Sequence, residues 1–381
     1  MAAIEGDARI GDARVGAGLP ARLLLVAAVV AGWIAVTWLA GLRQGILFII
    51  GVGLGGALAA VAFGFTTGWR VWLRDRDPTG VFAQFLAIGL ALSVSIPLLA
   101  AYPSDLIGAA GPLSVSLVIG AFVFGAAMQV ADGCGSGTLY KAGLGNVISI
   151  AVLPGFIAGS FLGAAHLDAW LRLGSLGPVS LQDHIGAAGA VVLELAVLAA
   201  LALLFWRKRR TLEARWRGRA IYIAAVALAI FAVLNLIVAG QPWGIVYGLG
   251  LWGAKIAIAL GWDAAGNAFW GRSAQLEQID APLLDDITSV TNIGLLVGSF
   301  VVASWRSTAL PPARPTGTQW LAAIVTGLVL GYSARLAFGC NIGAYFSGIS
   351  TGSVHGWVWF ACAFAGTVFG IRLRERLGFK G

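Results

Sequence analysis

Two of the three cysteines in this 381-residue chain, Cys134 and Cys340, occupy the same kind of setting. Each follows a glycine, Gly133 or Gly339, at the end of an apolar run, and each opens a glycine-rich polar stretch: GCGSGTLYKAGLGN from Gly133 and GCNIGAYFSGISTG from Gly339. Glycine lets backbone come close to a ligand. Beyond the cysteines lie donors, namely Ser136, Thr138 and Tyr140 in one stretch and Asn341, Tyr345 and Ser347 in the other. A tight turn and a short half-helix starting just after each thiol would aim a positive helix end at an anion. The candidate substrate-binding residues are therefore Cys134, Cys340, Gly133, Gly135, Gly339, Asn341 and Lys141, the last as a source of positive potential. Asp132 either neutralises Lys141 or caps the half-helix, and Arg335 is a weaker candidate that can snorkel to the headgroups.

The remaining chemistry-bearing residues are less pointed. Cys362 sits between Ala361 and Ala363 in an apolar run, where a free thiol packs as a small apolar group. His166, His184 and His355 are scattered and give no ligand spacing with the thiols, so neither a metal nor a cofactor is expected. A reversible Cys134–Cys340 disulfide is geometrically open and would act as a redox lock. Glu194 is isolated, and Asp285 and Asp286 stand at the start of an apolar segment, so no chain of intramembrane acids for ion coupling is evident.

The elements that position these residues must lie in a membrane. Hydrophobic residues make up 59% of the chain, charged ones 11%, and there are 54 glycines; a soluble globular fold is excluded. Eleven apolar runs, each about long enough to cross a ~30 Å hydrocarbon layer, cover 23–42, 45–65, 80–101, 113–131, 146–165, 186–206, 220–240, 243–261, 287–305, 319–338 and 354–373. The first is read as an uncleaved anchor, because no small-residue cleavage site follows it. The net charge of +8 gathers in WRVWLRDRD (69–77), RKRRTLEARWRGR (207–219) and RLRERLGFK (372–380), as cytoplasmic membrane edges require. That placement argues against nucleic-acid binding.

The two cysteine stretches are also the core of an internal repeat. LVIGAFVFGAAMQVADGCGSG (117–137) aligns with AIVTGLVLGYSARLAFGCNIG (323–343), and downstream Gly159/Gly163 and Gly366/Gly370 repeat a spacing that brings helices close in lipid. Upstream, GILFIIGVGLGGA (45–57) loosely echoes GIVYGLGLWGA (244–254). The expected organisation is a tail and anchor helix at 1–44, a first repeat at 45–185, a linker helix and basic cytoplasmic loop at 186–219, and a second repeat at 220–381. Charge placement requires one of the segments between 219 and 372 not to span. Lys255 and the glycines single out 243–261, and its counterpart 45–65 is expected to behave alike. The fold class is thus an all-α polytopic membrane protein of about 9–11 apolar segments, with two inverted repeats and re-entrant half-helices.

At the cysteine stretches the chain resembles the YeeE/YedE family of bacterial inner-membrane proteins, whose characterised members include thiosulfate transporters. The similarity runs from about residue 45 to 373. It rests on Gly133, Cys134, Gly137, Thr138, Tyr140, Lys141, Ala142 and Gly143, and on Gly339, Cys340, Ile342 and Gly343. The resemblance implies an hourglass-shaped fold of inverted halves with thiols along a central path. Cys134 and Cys340 would hold a sulfur-bearing anion by weak hydrogen bonds and pass it on. One position departs: in AFGFTTGWRVW, Phe63, Thr66 and Arg70 match a third motif of the family, but Gly64 stands where its thiosulfate members carry a cysteine.

The expected function is uptake of a small sulfur-containing anion, thiosulfate first, across a bacterial inner membrane by a non-enzymatic, multi-pass protein. The alternatives are a membrane sulfur-transfer enzyme using a cysteine persulfide, disfavoured because no base lies close in sequence to either thiol, and a transporter of another sulfur or selenium compound. The expected partners are the anion, the lipid bilayer and a cytosolic sulfur-carrier protein at 207–219.

Overall fold

A computed structural model describes residues 18–210, 218–306 and 315–378. The N-terminal tail with Arg9 and Arg14, most of the basic loop at 207–219, and the last three residues lie outside the described residues. Backbone polar groups have no water to bond in a bilayer, so apolar chain satisfies them internally as helix. The helices are α1 (Leu19–Ala40), α2 (Leu42–Ala60), α3 (Phe65–Asp75), α4 (Thr79–Ala101), α5 (Val115–Val130), α6 (Gly135–Gly143), α7 (Val147–Ala165) and α8 (Leu167–Leu171). They continue as α9 (Leu181–Arg207), α10 (Ala220–Ala239), α11 (Val246–Ala259), α12 (Ser273–Asp280), α13 (Ile287–Arg306) and α14 (Gly317–Leu336). A π-helical turn (Asn341–Phe346), α15 (Ser347–Ser350) and α16 (Val354–Arg376) complete the chain. Two short strands, β1 (Pro112–Ser114) and β2 (Ser175–Pro178), pair antiparallel.

Ten stretches among the described residues are long and apolar enough to cross a membrane, and the protein is a multi-pass membrane protein. The segment 243–261, expected from charge placement, its glycines and Lys255 not to span, forms α11, whose 14 residues rise only about 21 Å. Its expected counterpart does not behave alike: α2 has 19 residues, enough to cross, and the short helix of that region is α3. The echo between 45–57 and 244–254 matched glycine spacing, whereas the element that shares the place of α11, directly after a long helix, is α3.

The long helices associate crosswise: α2 lies on α13, α4 on α10, α5 on α16 and α7 on α14. Three of these seams are backbone against backbone. Between α2 and α13, a Cβ on Gly55 or Gly298 would stand 2.0 Å from the carbonyl oxygen of Leu295 or Val52. A Cβ on Gly159 would stand 2.0 Å from the Leu328 carbonyl oxygen, and one on Gly331 2.2 Å from that of Phe156. Between α5 and α16, Gly125 and Gly366 would each meet a carbonyl at 2.0 Å, from Ala363 and Phe122. Only glycine permits this approach, which supplies the dispersion contact that holds helices together in lipid. The seams enclose the short helices α3, α6, α11 and the π turn. Helix α1 lies outside them, with only Val36 buried.

Candidate functional site

The chain breaks in one way at three places. Ala62, Asp132 and Phe338 hold φ of 44°, 57° and 59°, a left-handed conformation that side chains resist. Two residues later Gly64, Cys134 and Cys340 cap α3, α6 and the π turn. The backbone bonds repeat as well. The N–H groups of Phe63, Gly133 and Gly339 donate to the carbonyls of Leu58, Met128 and Ala334, and those of Gly68, Thr138 and Ala344 donate to the cap residue's own carbonyl. Gly64 therefore holds the backbone position that a cysteine holds in the other two breaks. A fourth short helix, α11, is capped by Ile245.

The two thiols come together at these caps. Cys134 and Cys340 are buried and unbridged. A Cβ placed on Gly135 would lie 3.0 Å from Cys340 Sγ and 3.2 Å from Ile245 Cγ2, and one on Gly137 would lie 3.6 Å from Cys134 Sγ. The Cys134 thiol is 3.4 Å from Ser136 Oγ. Gly339, at φ 150°, is forced by its neighbours, since its Cβ would meet the Ala344 nitrogen at 2.6 Å. Side chains from three helices fix the fourth break: Ser347 Oγ donates to the Trp243 carbonyl, Asn292 Nδ2 to that of Ile245, and Ser160 Oγ to that of Val246.

Polar atoms without partners gather at the same caps. They include both amide atoms of Asn341, Thr138 Oγ1, Thr66 Oγ1, the Tyr345 hydroxyl, Trp243 Nε1 and Asn292 Oδ1. Each of these residues is 2% exposed or less. Leaving such a group unpaired costs about 1–3 kcal/mol, so their concentration beside two thiols marks a polar interior shaped for something other than protein. Tyr345 stacks against Trp359 and Phe360 and meets Phe65 and Trp69 edge-on, which fixes its ring. Tyr345→Phe removes the unpaired hydroxyl and little else. The purified variant is expected to melt at or above the wild-type temperature; a lower melting temperature would show that the hydroxyl serves the fold.

Charge gathers one turn from Cys134. Asp132 accepts from Arg70 at 2.6 Å and Lys141 at 2.5 Å, with Arg374 at 3.6 Å. Lys141 also donates to the Asp132 backbone carbonyl. Of the two roles anticipated for Asp132, the ion pair with Lys141 is the one present; no side chain caps α6. Arg335 stands elsewhere, with its guanidinium 5.0 Å from the Phe269 ring centre and 5.5 Å from that of Tyr247. Cys362 is half-buried in α16.

Beside the fourth break a cavity of about 380 Å³ is lined by Gln241, Gly244, Tyr247, Gln278, Asp286 and Thr288, among others. Burial lifts the Asp286 carboxyl above its ordinary value, although the Ser289 N–H donates to it. Sequence reasoning missed Trp243, Ile245 and Asn292 here, and Arg374 in the charged cluster. The stretch QPWG (241–244) carries a proline and a glycine between two apolar runs, a signal of a break that had no cysteine to draw attention to it.

Comparison with known proteins covers most of the chain. Residues 62–369 match a family described as sulphur transport. A protein named probable transporter YedE from Escherichia coli (strain K12) is 28% identical over 149 residues, covering 39% of this chain and 36% of that protein. The YedE of Salmonella typhimurium (strain LT2) is similar to the same extent. A protein named thiosulfate transporter TsuA from Spirochaeta thermophila is 25% identical over 262 residues, covering 64% of this chain and 73% of that protein. The chain thus matches about a third of the length of the YedE relatives and nearly three quarters of TsuA.

Proposed function

The chain belongs to the sulphur-transport family, and we propose that it takes up a small sulfur-containing anion, thiosulfate first, across a bacterial inner membrane past Cys134 and Cys340. The observation that carries this reading is the meeting of two thiols with unpaired buried donors at the caps of short helices. A polarisable anion held there by S–H, hydroxyl and amide donors is bound well enough to enter and weakly enough to leave. Gly133, Gly135 and Gly339 keep the caps close, and Asn341 and Lys141 supply donor and charge. The two halves of the chain act as inverted repeats around this centre, and the basic segment at 207–219 receives a cytosolic sulfur carrier. The test is growth of a sulfur-auxotrophic bacterium on thiosulfate as sole sulfur source. Rescue by the expressed chain supports the reading, and failure of a well-expressed chain rejects thiosulfate.

A second reading, another sulfur or selenium compound, is favoured by Gly64. Its φ is −129°, ordinary for any residue, and a Cβ there would meet only the mobile Thr67 hydroxyl closely, at 3.1 Å. Gly64→Cys is therefore expected to fold as the wild type does and to raise thiosulfate uptake several-fold. A folded variant with unchanged uptake would place Gly64 off the path.

A further inference from the structure

The four short helices begin at Gly64, Cys134, Ile245 and Cys340, and Ile245 alone among these caps carries a bulky apolar side chain. It is 1% exposed. On one side its Cγ2 shares with Cys340 Sγ the space over Gly135, at 3.2 and 3.0 Å from the position a Cβ would take. On the other side its chain neighbour Gly244 lines the polar cavity of about 380 Å³. Helix α13 follows the same course: Thr288 lines the cavity, and one turn deeper Asn292 holds the Ile245 carbonyl with its Nδ2 at 2.9 Å. The Asn292 Oδ1 is buried without a partner. Between Gly244, which lines the cavity, and the neighbourhood of the Cys340 thiol the chain thus presents Ile245, with Thr288 and Asn292 on α13 beside it.

We propose that Ile245 is an apolar gate separating the cavity, as the vestibule of the path, from the Cys340 thiol. The proposal rests on the reading that the thiols line a transport path. A hydrophobic constriction excludes water when closed, so a strongly hydrated anion is refused while one that sheds water to reach a thiol passes when the side chain turns aside. The Asn292 grip on the Ile245 carbonyl holds the backbone in place, so opening involves the side chain alone.

The experiment uses the purified full chain and the anionic reagent 2-sulfonatoethyl methanethiosulfonate. A thiolate attacks its sulfenyl sulfur, forming a mixed disulfide and releasing methanesulfinate. Mass spectrometry of peptides reads the modification rate at each cysteine separately. In Ile245→Ala the Cys340 rate should rise about tenfold, with Cys362 unchanged, and in Ile245→Val it should rise less. No rise in a monodisperse Ile245→Ala protein overturns the gate. If Ile245→Ala does not fold, the Ile245→Val rate decides, and equality with wild type overturns the proposal. Labelling needs no transported substrate, so failure of the thiosulfate reading in the growth test is distinguishable from failure of the gate.

Discussion

Thiosulfate uptake should fall about tenfold in Cys340→Ala and in Cys134→Ala, with both proteins still folded and inserted. Neither thiol caps its helix, since no side-chain cap bond is made at either position, so the backbone breaks survive the change. Removing one sulfur atom from a buried site leaves a small void, at a cost of about 1 kcal/mol. With each thiol one station in series, as proposed, losing a soft contact of about 1.4 kcal/mol at one station would raise the barrier there and slow passage about tenfold. Cys362→Ala is the control and should transport near the wild-type rate. Equal loss in all three variants would mean damage to packing, and normal transport by the first two would end the role assigned to the thiols.

Asp132→Ala is expected to give the largest loss of stability. Arg70, Lys141 and Arg374 converge on this one carboxylate, and their side chains are 9%, 15% and 7% exposed. Without it three cations face one another in a poorly solvated place. Breaking a buried ion pair from one side costs ~3–5 kcal/mol. The Asp132 side chain is 29% exposed, so water screens part of the effect and the lower end, ~3 kcal/mol, applies. Thermal unfolding of the purified protein should show a marked drop in melting temperature, and Asp132→Asn/Lys141→Gln, which removes one charge of each sign, should recover part of it. An unchanged melting temperature in Asp132→Ala would show that water, not the carboxylate, balances the cations.

Much of this was legible in the residues. Apolar runs of about twenty residues located the long helices because lipid leaves an apolar chain no other way to satisfy its backbone. The Gly-Cys pairs located two breaks because glycine and polar residues inside such runs have few other uses. The third and fourth breaks were harder to see. At Gly64 the thiol that would have flagged the position is missing, and at Ile245 the cap is an ordinary apolar residue. Gly64 shares its place with the cysteines only through backbone geometry, as in the left-handed residue two before it, and Ile245 lacks even that signature. The match of 45–57 with 244–254 misled for the same reason: glycine spacing records where helices approach, and says nothing of where a helix stops. The Asp132 cluster draws on residues as far apart as Arg70 and Arg374, a proximity that only the crosswise association of α5 with α16 creates.

That crosswise association also limits how the protein can work mechanically. At Gly159, Gly331, Gly125 and Gly366 an atom no larger than a methyl carbon would collide with the opposing carbonyl. Shear along either seam would bring a Cβ from a neighbouring residue into that same carbonyl. The seams, with that of α2 and α13, therefore resist sliding as keyed joints do. Displacement during turnover is left to what they surround: the four short helices, their caps and the side chains on them. A carrier that rocks one half against the other pays for each passage with a large rearrangement, whereas a frame locked in this way advances its cargo by small local steps.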